Sequence, residues 1–402
     1  MSKTVSIILP TYNRADTIVR AIKSVQGQTF PDWELIVVDD GSTDGTAELI
    51  AALEPRMVLI RQENRGFTEA RNVGIKASTG KYLAFLDSDD EFMPHHLELC
   101  VSFLEAFPDE QFVSTELLEN LGHNRFVRHY RVETAEWYPQ RARQIGSHML
   151  DLPSGQTDDY LRVFESREPI EDWGRAIVMS AGTEGDEFLY RGNIFEYFRW
   201  GFLITITATV IRRTALDVVG LPQSRLATGS DFHFMASLCR NFRANYLSVP
   251  TFIKHELNTE EKPLLLSHVV TGSTALQFLK DLQHAWEELF WTEGGLDSEL
   301  QQLRGIRLFH IALAALEVGE REVAIQYLRE ARKNLNGSWM VLAVEGFAIC
   351  IPNDRISQQL WLGLSRGSAA VMNVFQGQLT LSSFVRKALF WIGLIHGSDS
   401  ID

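Results

Sequence analysis

Apolar and polar residues alternate in blocks over the first hundred positions of the chain. Short apolar runs rich in β-branched residues occur at 5–9, 33–38, 58–60 and 82–86. Each is followed by a stretch in which apolar residues recur every three or four positions, the spacing of an amphipathic helix. The predicted helices lie at 18–25, 43–53, 68–77 and from Pro94 onward. Strands that alternate with helices predict an α/β fold: a Rossmann-like, mostly parallel sheet with helices on both faces.

Polar clusters follow three of the predicted strands. They are Pro10-Thr11-Tyr12-Asn13, Asp39-Asp40-Gly41-Ser42 and Asp87-Ser88-Asp89-Asp90. Ligands of parallel α/β sheets bind beyond the carboxyl ends of the strands. Three clusters at one edge therefore predict a single binding site.

The third cluster has the composition of a cation site. Asp87 and Asp89 are two positions apart, so both carboxylates can face the same side of an extended chain. Crowded carboxylates repel one another unless a cation lies among them. A hard divalent cation shared with ligand phosphates suits such oxygens. The alternative is a solvated acidic loop, which the two upstream clusters make less favourable.

Arg71 is a candidate phosphate ligand, since it lies one turn into the predicted helix 68–77. The alternative is a surface arginine paired with Glu69 or Glu63. Turn formation and helix capping are the alternatives for Asp39 and Asp40.

Three common motifs are excluded. DDGSTDG resembles the start of an EF-hand loop, but its twelfth position would be Ala51 instead of glutamate, and a strand precedes it. The chain also contains neither a GxGxxG dinucleotide fingerprint nor a GxxxxGK[ST] phosphate loop.

The ordered motifs PTYNR, VVDDGSTDGT, ENRGFTEARNVGI and LDSDD resemble the nucleotide-sugar half of the family 2 glycosyltransferases, which are inverting enzymes of the GT-A type. The resemblance implies that Asp89 and Asp87 hold Mn²⁺ or Mg²⁺ and that Arg71 faces the diphosphate. It implies that the nucleotide sugar contacts Pro10, Thr11, Tyr12, Asn13, Asp39, Asp40, Arg71, Asp87 and Ser88.

The resemblance continues more weakly downstream. A predicted strand at 202–210, an arginine pair, a helix at 214–219 and a turn at 220–222 precede ATGSDFHFMASL, at 227–238. There the family carries an ED-x-D motif, so Asp231 is implied as the catalytic base, while Ser230 and His233 depart from the pattern. The alternative for Asp231 is to cap a helix at 232–240.

His255 is implied as a contact to the metal or the diphosphate. The family often has R-x-H-x-x-N at this point; His255 and Asn258 fit, but Ile253 replaces the arginine. A purely structural histidine is the alternative.

The remainder of the chain predicts further organisation. We expect a catalytic domain at 1–260, with a nucleotide-sugar half (1–110) and an acceptor half (111–260) containing an insertion at 119–190. A helical domain follows at 261–402, in which 303–316 and 321–335 resemble one tetratricopeptide hairpin. It could bind the acceptor, a second copy or another partner. Apolar segments at 338–351 and 384–395 are core helices or membrane contacts, and both are too short to span a membrane.

Composition and charge restrict the classes of partner and the cellular compartment that the chain fits. The chain has 402 residues, 45% hydrophobic, with a formal net charge of −14, which argues against a nucleic-acid surface. The three cysteines are widely separated, which favours a reducing compartment and no zinc site. The N-terminal apolar run is too short for a signal peptide. The family resemblance implies a cytoplasmic setting, with possible peripheral contact at the inner face of the membrane.

These inferences predict an inverting transferase that moves a sugar from a nucleotide donor to a glycan or lipid-linked acceptor. The resemblance implies a role in polysaccharide or glycolipid assembly. UDP is the expected nucleotide on family grounds, with dTDP or GDP as alternatives. One alternative function is an inactive nucleotide-sugar-binding scaffold that acts through its helical tail. A sugar-nucleotide pyrophosphorylase is disfavoured because PTYNRADT replaces the Gly-rich basic loop of that class.

Overall fold

The computed structural model describes residues 4–53, 57–120, 126–128, 159–182, 187–199, 204–226, 228–255, 258–259, 262–263, 273–291 and 295–335, with 341, 344, 345 and 348. The described residues form two compact units, the first up to residue 263 and the second from residue 273 on. The predicted domain boundary at 260/261, the predicted segment 384–395 and most of 338–351 and of the insertion lie outside the described residues.

The first unit is built on a large mixed sheet. Its strands are β1 (Val5–Thr11), β2 (Trp33–Asp39), β3 (Met57–Arg61), β4 (Tyr82–Phe85), β5 (Glu91–Phe92), β6 (Phe112–Asn120), β7 (Phe126–Arg128), β8 (Ser166–Pro169), β9 (Phe188–Gly192), β10 (Thr209–Arg212) and β11 (Ala244–His255). A separate pair is formed by β12 (Asn258–Thr259) and β13 (Lys262–Pro263).

The helices of this unit connect the strands in the predicted alternation. They are α1 (Ile18–Gln26), α2 (Thr46–Ala51), α3 (Phe67–Ala77), α4 (His96–Ala106), α5 (Asp172–Ser180), α6 (Leu216–Val219) and α7 (Ser230–Asn241). Short 3-10 turns lie at Asp159–Arg162, Phe195–Arg199, Ile206–Ala208 and Arg213–Ala215.

The sheet joins two halves through one antiparallel strand. The order of strands is β3-β2-β1-β4-β10-β6-β11-β9-β8. β3, β2, β1 and β4 are mutually parallel, β10 runs antiparallel to both β4 and β6, and β6 is parallel to β11. The predicted α/β class is confirmed.

Helix α3 lies very close to the first strands. A Cβ at Gly74 would come within 2.6 Å of Ile8 Cγ2 and 3.4 Å of Val38 Cγ2, so only glycine fits there without displacement. Ile8 and Val38 are fully buried. The contact fixes the helix that carries Arg71 against the sheet.

Several predicted boundaries were wrong. The strand expected at 202–210 begins only at Thr209, because a 3-10 turn, Ile206–Ala208, precedes it. The helix expected at 43–53 shortens to α2, since Gly45 stands before it with a φ of 90°. β1 continues through Pro10, which pairs in register with Val38 of β2.

The second unit is helical. It contains α8 (Ser273–Phe290), α9 (Ser298–Glu317) and α10 (Arg321–Asn334), and the last two lie at the predicted helices 303–316 and 321–335. The resemblance of this pair to a tetratricopeptide hairpin stays a prediction. Ala324, Leu328 and Ala331 of α10 are fully buried in its hydrophobic cluster. Within the described ranges, none of the helices combines the length and the apolar character needed to cross a membrane.

Candidate functional site

The loops after β1 and β2 are bonded to each other at one sheet edge. The amide of Asn13 donates to Ser42 Oγ at 2.9 Å, and the amide of Thr43 donates to Asn13 Oδ1 at 2.8 Å. Asn13 adopts a φ of 51°, a conformation that asparagine tolerates better than most residues. Tyr12 remains 45% exposed beside this junction. Two of the three predicted clusters therefore form one continuous surface.

Thr11 and Asp39 lie side by side at the ends of β1 and β2, and both are buried. Asp39 Oδ1 accepts from the Ser42 amide at 3.0 Å, and Arg61 Nε lies 3.1 Å from Oδ2. The buried Thr11 hydroxyl has no hydrogen-bond partner among the residues described. It is a polar group that a ligand could satisfy.

Asp40 has a different environment. Its carboxylate accepts from Gln62 Nε2 at 2.7 Å and from the amides of Arg65 at 2.9 Å and Gly66 at 2.8 Å. Both oxygens thus hold the loop that leads into α3. The contact predicted between Asp40 and a nucleotide stays a prediction, and it would require one of these bonds to open.

Arg71 connects two distant parts of the chain. It is 1% exposed; Nη2 lies 3.1 Å from Asp87 Oδ1, and Nη1 donates to Asp231 Oδ1. The alternative pairing with Glu69 or Glu63 was wrong. An arginine on α3 thereby joins the acidic turn after β4 to the start of α7.

Asp231 does not cap α7. The helix begins at Ser230 after Gly229, without a side-chain cap, so Asp231 lies within the first turn and the capping alternative was wrong. Ser230 Oγ lies 2.7 Å from Thr68 Oγ1 of α3 and 3.4 Å from Asp231 Oδ1. The Asp231 side chain keeps 22% of its surface exposed. Its carboxylate is therefore bound to Arg71 and still accessible.

The acidic turn, residues 87–90, contains carboxyl groups whose pKa values are raised. Partial burial raises the pKa of Asp87 to about 6; Arg71 opposes the shift, and Asp89 and Asp231 add to it. Burial, followed by Asp89 and Asp87, raises the pKa of Asp90 well above its usual range. A cation at this turn would relieve the repulsion.

The donor set fits a divalent ion shared with a ligand. No group of three or more histidine, cysteine or acidic side chains able to hold a metal occurs in the described part of the chain. Asp87 and Asp89 remain, with side chains 41% and 24% exposed. Mg²⁺ in phosphate-transfer sites typically takes one or two protein carboxylates and completes its shell with water and phosphate oxygens. The two aspartates fit that pattern.

His255, at the end of β11, has both ring nitrogens engaged. Nε2 lies 2.6 Å from Glu91 Oε1, and Nδ1 lies 3.1 Å from Asn120 Nδ2. Burial, followed by the charge of Arg20, lowers the pKa of His255, which favours the neutral ring. The contacts then assign a proton to Nε2 and a lone pair to Nδ1. The predicted metal contact stays a prediction, and it requires one of these bonds to open.

Comparison with known proteins identifies this architecture. Residues 6–161 match the family model of glycosyl transferase family 2. This part of the chain is similar to glycosyl transferase family 2.

Curated glycosyltransferases match about a quarter of this chain. An uncharacterised glycosyltransferase of Rickettsia bellii is 47% identical over 103 residues, which are 25% of this chain and 15% of that protein. The Escherichia coli protein WfgD, a UDP-Glc:α-D-GlcNAc-diphosphoundecaprenol β-1,3-glucosyltransferase, is 41% identical over 102 residues, 25% of this chain and 40% of that protein. The chain thus spans well under half of these relatives.

The fold has a solved counterpart. The structure of S. aureus TarS 1-349 in complex with UDP-GlcNAc matches 93% of this chain and 92% of that chain, with a TM-score of 0.52 and 16% sequence identity. At this identity the likeness establishes the fold.

The family 2 motifs did not reveal every residue around the acidic turn. Arg14, Arg20, Glu91 and Asn120 were missed. Arg14 Nη2 lies 3.6 Å from Asp89 Oδ2, and Arg20 Nη2 donates to the Asp89 carbonyl at 2.6 Å. By its spacing, Arg20 falls on the polar face of an amphipathic helix. Sequence periodicity alone therefore does not indicate its contact with Asp89.

Proposed function

We propose that this chain is an inverting glycosyltransferase that moves a sugar from a nucleotide diphosphate donor to a hydroxyl of a glycan or lipid-linked acceptor. The observation that carries the proposal is the buried Arg71, bound to both Asp87 and Asp231. The Arg71 guanidinium thus lies beside the accessible carboxylate of Asp231 and the acidic turn, at the carboxyl edge of the sheet. A diphosphate that leaves at this edge would require these groups.

The proposed donor is a UDP-sugar. The TarS structure contains UDP-GlcNAc, and the name of WfgD specifies UDP-Glc. Tyr12, Thr11 and Asp39 are the proposed contacts of the nucleoside, with Pro10, Asn13, Asp40 and Ser88 around them. The exposed ring of Tyr12 offers a flat apolar surface and Thr11 offers a hydroxyl, which suits a base and a ribose.

Asp89 and Asp87 would hold Mn²⁺ or Mg²⁺. When bound, the ion supplies Lewis-acid neutralisation of the charge on the diphosphate. We propose that His255 contacts the ion or the diphosphate only in the donor-bound state, after its bond to Glu91 or Asn120 opens. Arg71 supplies a fixed positive charge near the same oxygens.

Asp231 is the proposed general base. Its carboxylate takes the proton of the acceptor hydroxyl while that oxygen bonds to the anomeric carbon and the bond to the diphosphate breaks. Attack from the opposite face inverts the anomeric configuration, and the sugar passes through an oxocarbenium-like state. Arg71 holds the Asp231 carboxylate in orientation through Oδ1.

The setting is proposed on the same basis. The acceptor named for WfgD is lipid-linked, so we propose work at the cytoplasmic face of a membrane. The helical unit could bind the acceptor, a partner or a second copy of the chain.

The deciding experiment measures nucleoside diphosphate release from a panel of nucleotide sugars with Mn²⁺, Mg²⁺ or EDTA. We expect slow hydrolysis of one donor that EDTA and the variant Asp89→Ala abolish. The absence of both hydrolysis and metal-dependent binding for the whole panel would contradict the proposal. Binding without transfer to any acceptor would favour the scaffold alternative.

A further inference from the structure

The acidic turn must hold its shape against the repulsion of its own carboxylates. Within the turn, the amide of Asp90 donates to the Asp87 carbonyl at 3.1 Å. Beyond it, Glu91 and Phe92 pair as β5 with Ile253 and Phe252 of β11. Neither contact holds the main chain of Asp89, the residue proposed to bind the cation.

Arg20 supplies that contact from α1. Its Nη2 donates to the Asp89 carbonyl at 2.6 Å, and its Nε lies 3.2 Å from Glu91 Oε1. One guanidinium therefore binds the backbone of the turn and the first side chain after it. The fork of donors on arginine is suited to two such acceptors at once.

The contact extends to β11 through Glu91. The same oxygen, Oε1, accepts from His255 Nε2 at 2.6 Å, and the His255 amide donates to Asp90 Oδ1 at 3.0 Å. The Arg20–Glu91 ion pair and the Glu91–His255 hydrogen bond thus link α1 to the end of β11 beside the turn.

We propose that Arg20 is a positioning residue that fixes the acidic turn, and with it Asp89 and His255, in the geometry that binds the metal–diphosphate group of the donor. This inference rests on the proposed function. Removal of Arg20 releases the Asp89 carbonyl and leaves Glu91 bound to His255 alone. The loss of Arg20 should therefore lower the metal-dependent part of the affinity, because the nucleoside contacts lie elsewhere, at the ends of β1 and β2.

The test is calorimetric titration of UDP into the full chain, with Mn²⁺ and again with EDTA. We expect Arg20→Ala to weaken binding in Mn²⁺ by about tenfold, the typical effect of losing one charged hydrogen bond, and to leave binding in EDTA unchanged. Arg20→Lys should recover part of the loss, because an ammonium group can still donate to the Asp89 carbonyl. Lys23→Ala removes the same charge from an exposed position of the same helix and should match wild type.

Equal weakening in Mn²⁺ and EDTA, or wild-type binding by Arg20→Ala, would overturn the inference. Glu91→Gln provides a second variant if Arg20→Ala does not fold, and we expect it to lower only the Mn²⁺-dependent affinity.

Amide hydrogen exchange on the free protein provides a readout that needs no ligand. We expect faster exchange in 87–92 for Arg20→Ala than for Lys23→Ala, and equal rates would overturn the inference. If the wild-type protein binds none of UDP, GDP and dTDP, the proposed function fails. The hydrogen-exchange result still decides whether Arg20 holds the turn.

Discussion

Arg71 is the residue that gives the site its electrostatic character. Its guanidinium is almost wholly buried, whereas its partners Asp87 and Asp231 keep 41% and 22% of their side chains exposed. A buried cation is tolerated only with close counter-charges, and those charges face the accessible side. Arg71 therefore orients two carboxylates toward the space where donor and acceptor would meet.

Asp231→Asn separates the proposed base from donor binding. The amide keeps the shape and can still accept from Arg71, but it cannot take a proton. We expect kcat for transfer to fall about 10²- to 10⁴-fold, with donor affinity changed far less. Steady-state kinetics with a titration of donor analogue would measure both.

Asp217→Asn is the matched control, because Asp217 is exposed on α6. It should behave as wild type. Full transfer activity in Asp231→Asn would remove Asp231 from the mechanism.

His96 should make the stability of the first unit depend on pH. It is fully buried, stacks on Phe92 and lies 2.7 Å from Thr251 Oγ1. Burial lowers its pKa to about 3 from the usual 6.5. Below pH 6.5 the unfolded chain binds a proton that the folded chain does not, so the free energy of unfolding falls as the pH drops toward 3.

This prediction is tested by denaturant unfolding at several pH values between 7 and 5. His96→Gln should flatten the dependence by up to about 1.4 kcal/mol per pH unit, the contribution of one proton. His284→Gln, at an exposed position of the second unit, should keep the wild-type slope. A His96→Gln slope equal to that of wild type would show that His96 does not titrate in this way.

Sequence spacing predicted which residues form the site better than it predicted the contacts between those residues. The clusters after β1, β2 and β4 follow from local patterns, because the carboxyl ends of parallel strands must share an edge. The contacts of Arg71 with Asp231 and of Arg20 with Glu91 depend on how α3, α7 and α1 pack. No periodicity encodes such pairings, so they could not be predicted from spacing.

At the scale of elements, the closeness of α3 to the sheet fixes Arg71. The helix buries Ala70 and Ile75 besides Gly74, and its other end begins at the loop held by Asp40. Helix existence was predictable from an apolar repeat, whereas the boundaries of α2 and β10 depended on a glycine of positive φ and on a 3-10 turn.

Gly74→Ala should destabilise the first unit by about 1–3 kcal/mol, since the new methyl group overlaps Ile8 and forces α3 outward. Chemical denaturation would measure the loss, and donor affinity should fall as Arg71 moves. Gly27→Ala is the control, because its Cβ meets nothing closer than 3.5 Å and its φ is −80°. Equal stability of the two variants would contradict the tight packing of α3.

At the scale of the whole molecule, the described residues form two units with separate hydrophobic clusters. The site residues discussed above all belong to the first. A ligand that binds one folded unit stabilises that unit by mass action.

Calorimetry should therefore show two thermal transitions. UDP with Mn²⁺ at a hundred times its Kd should stabilise the first unit by about 2.7 kcal/mol and leave the other transition in place. Gly74→Ala, which shifts only the first unit, identifies its transition, and EDTA should reduce the stabilisation by UDP to that of the nucleoside contacts alone. A single transition that moves as a whole would contradict the prediction.

The position of β10 has a consequence for biosynthesis. β4 and β6 flank it in the sheet, yet β10 follows both of them in the chain, after β9. While the ribosome is still making the segment between them, the edges of β4 and β6 have no central partner. At roughly 5–20 residues per second, translation from Asn120 to Arg212 takes about 5–20 s, and open strand edges invite pairing with other chains. The nascent polypeptide is thus most vulnerable to aggregation just before its midpoint emerges, a window in which a chaperone would protect it best.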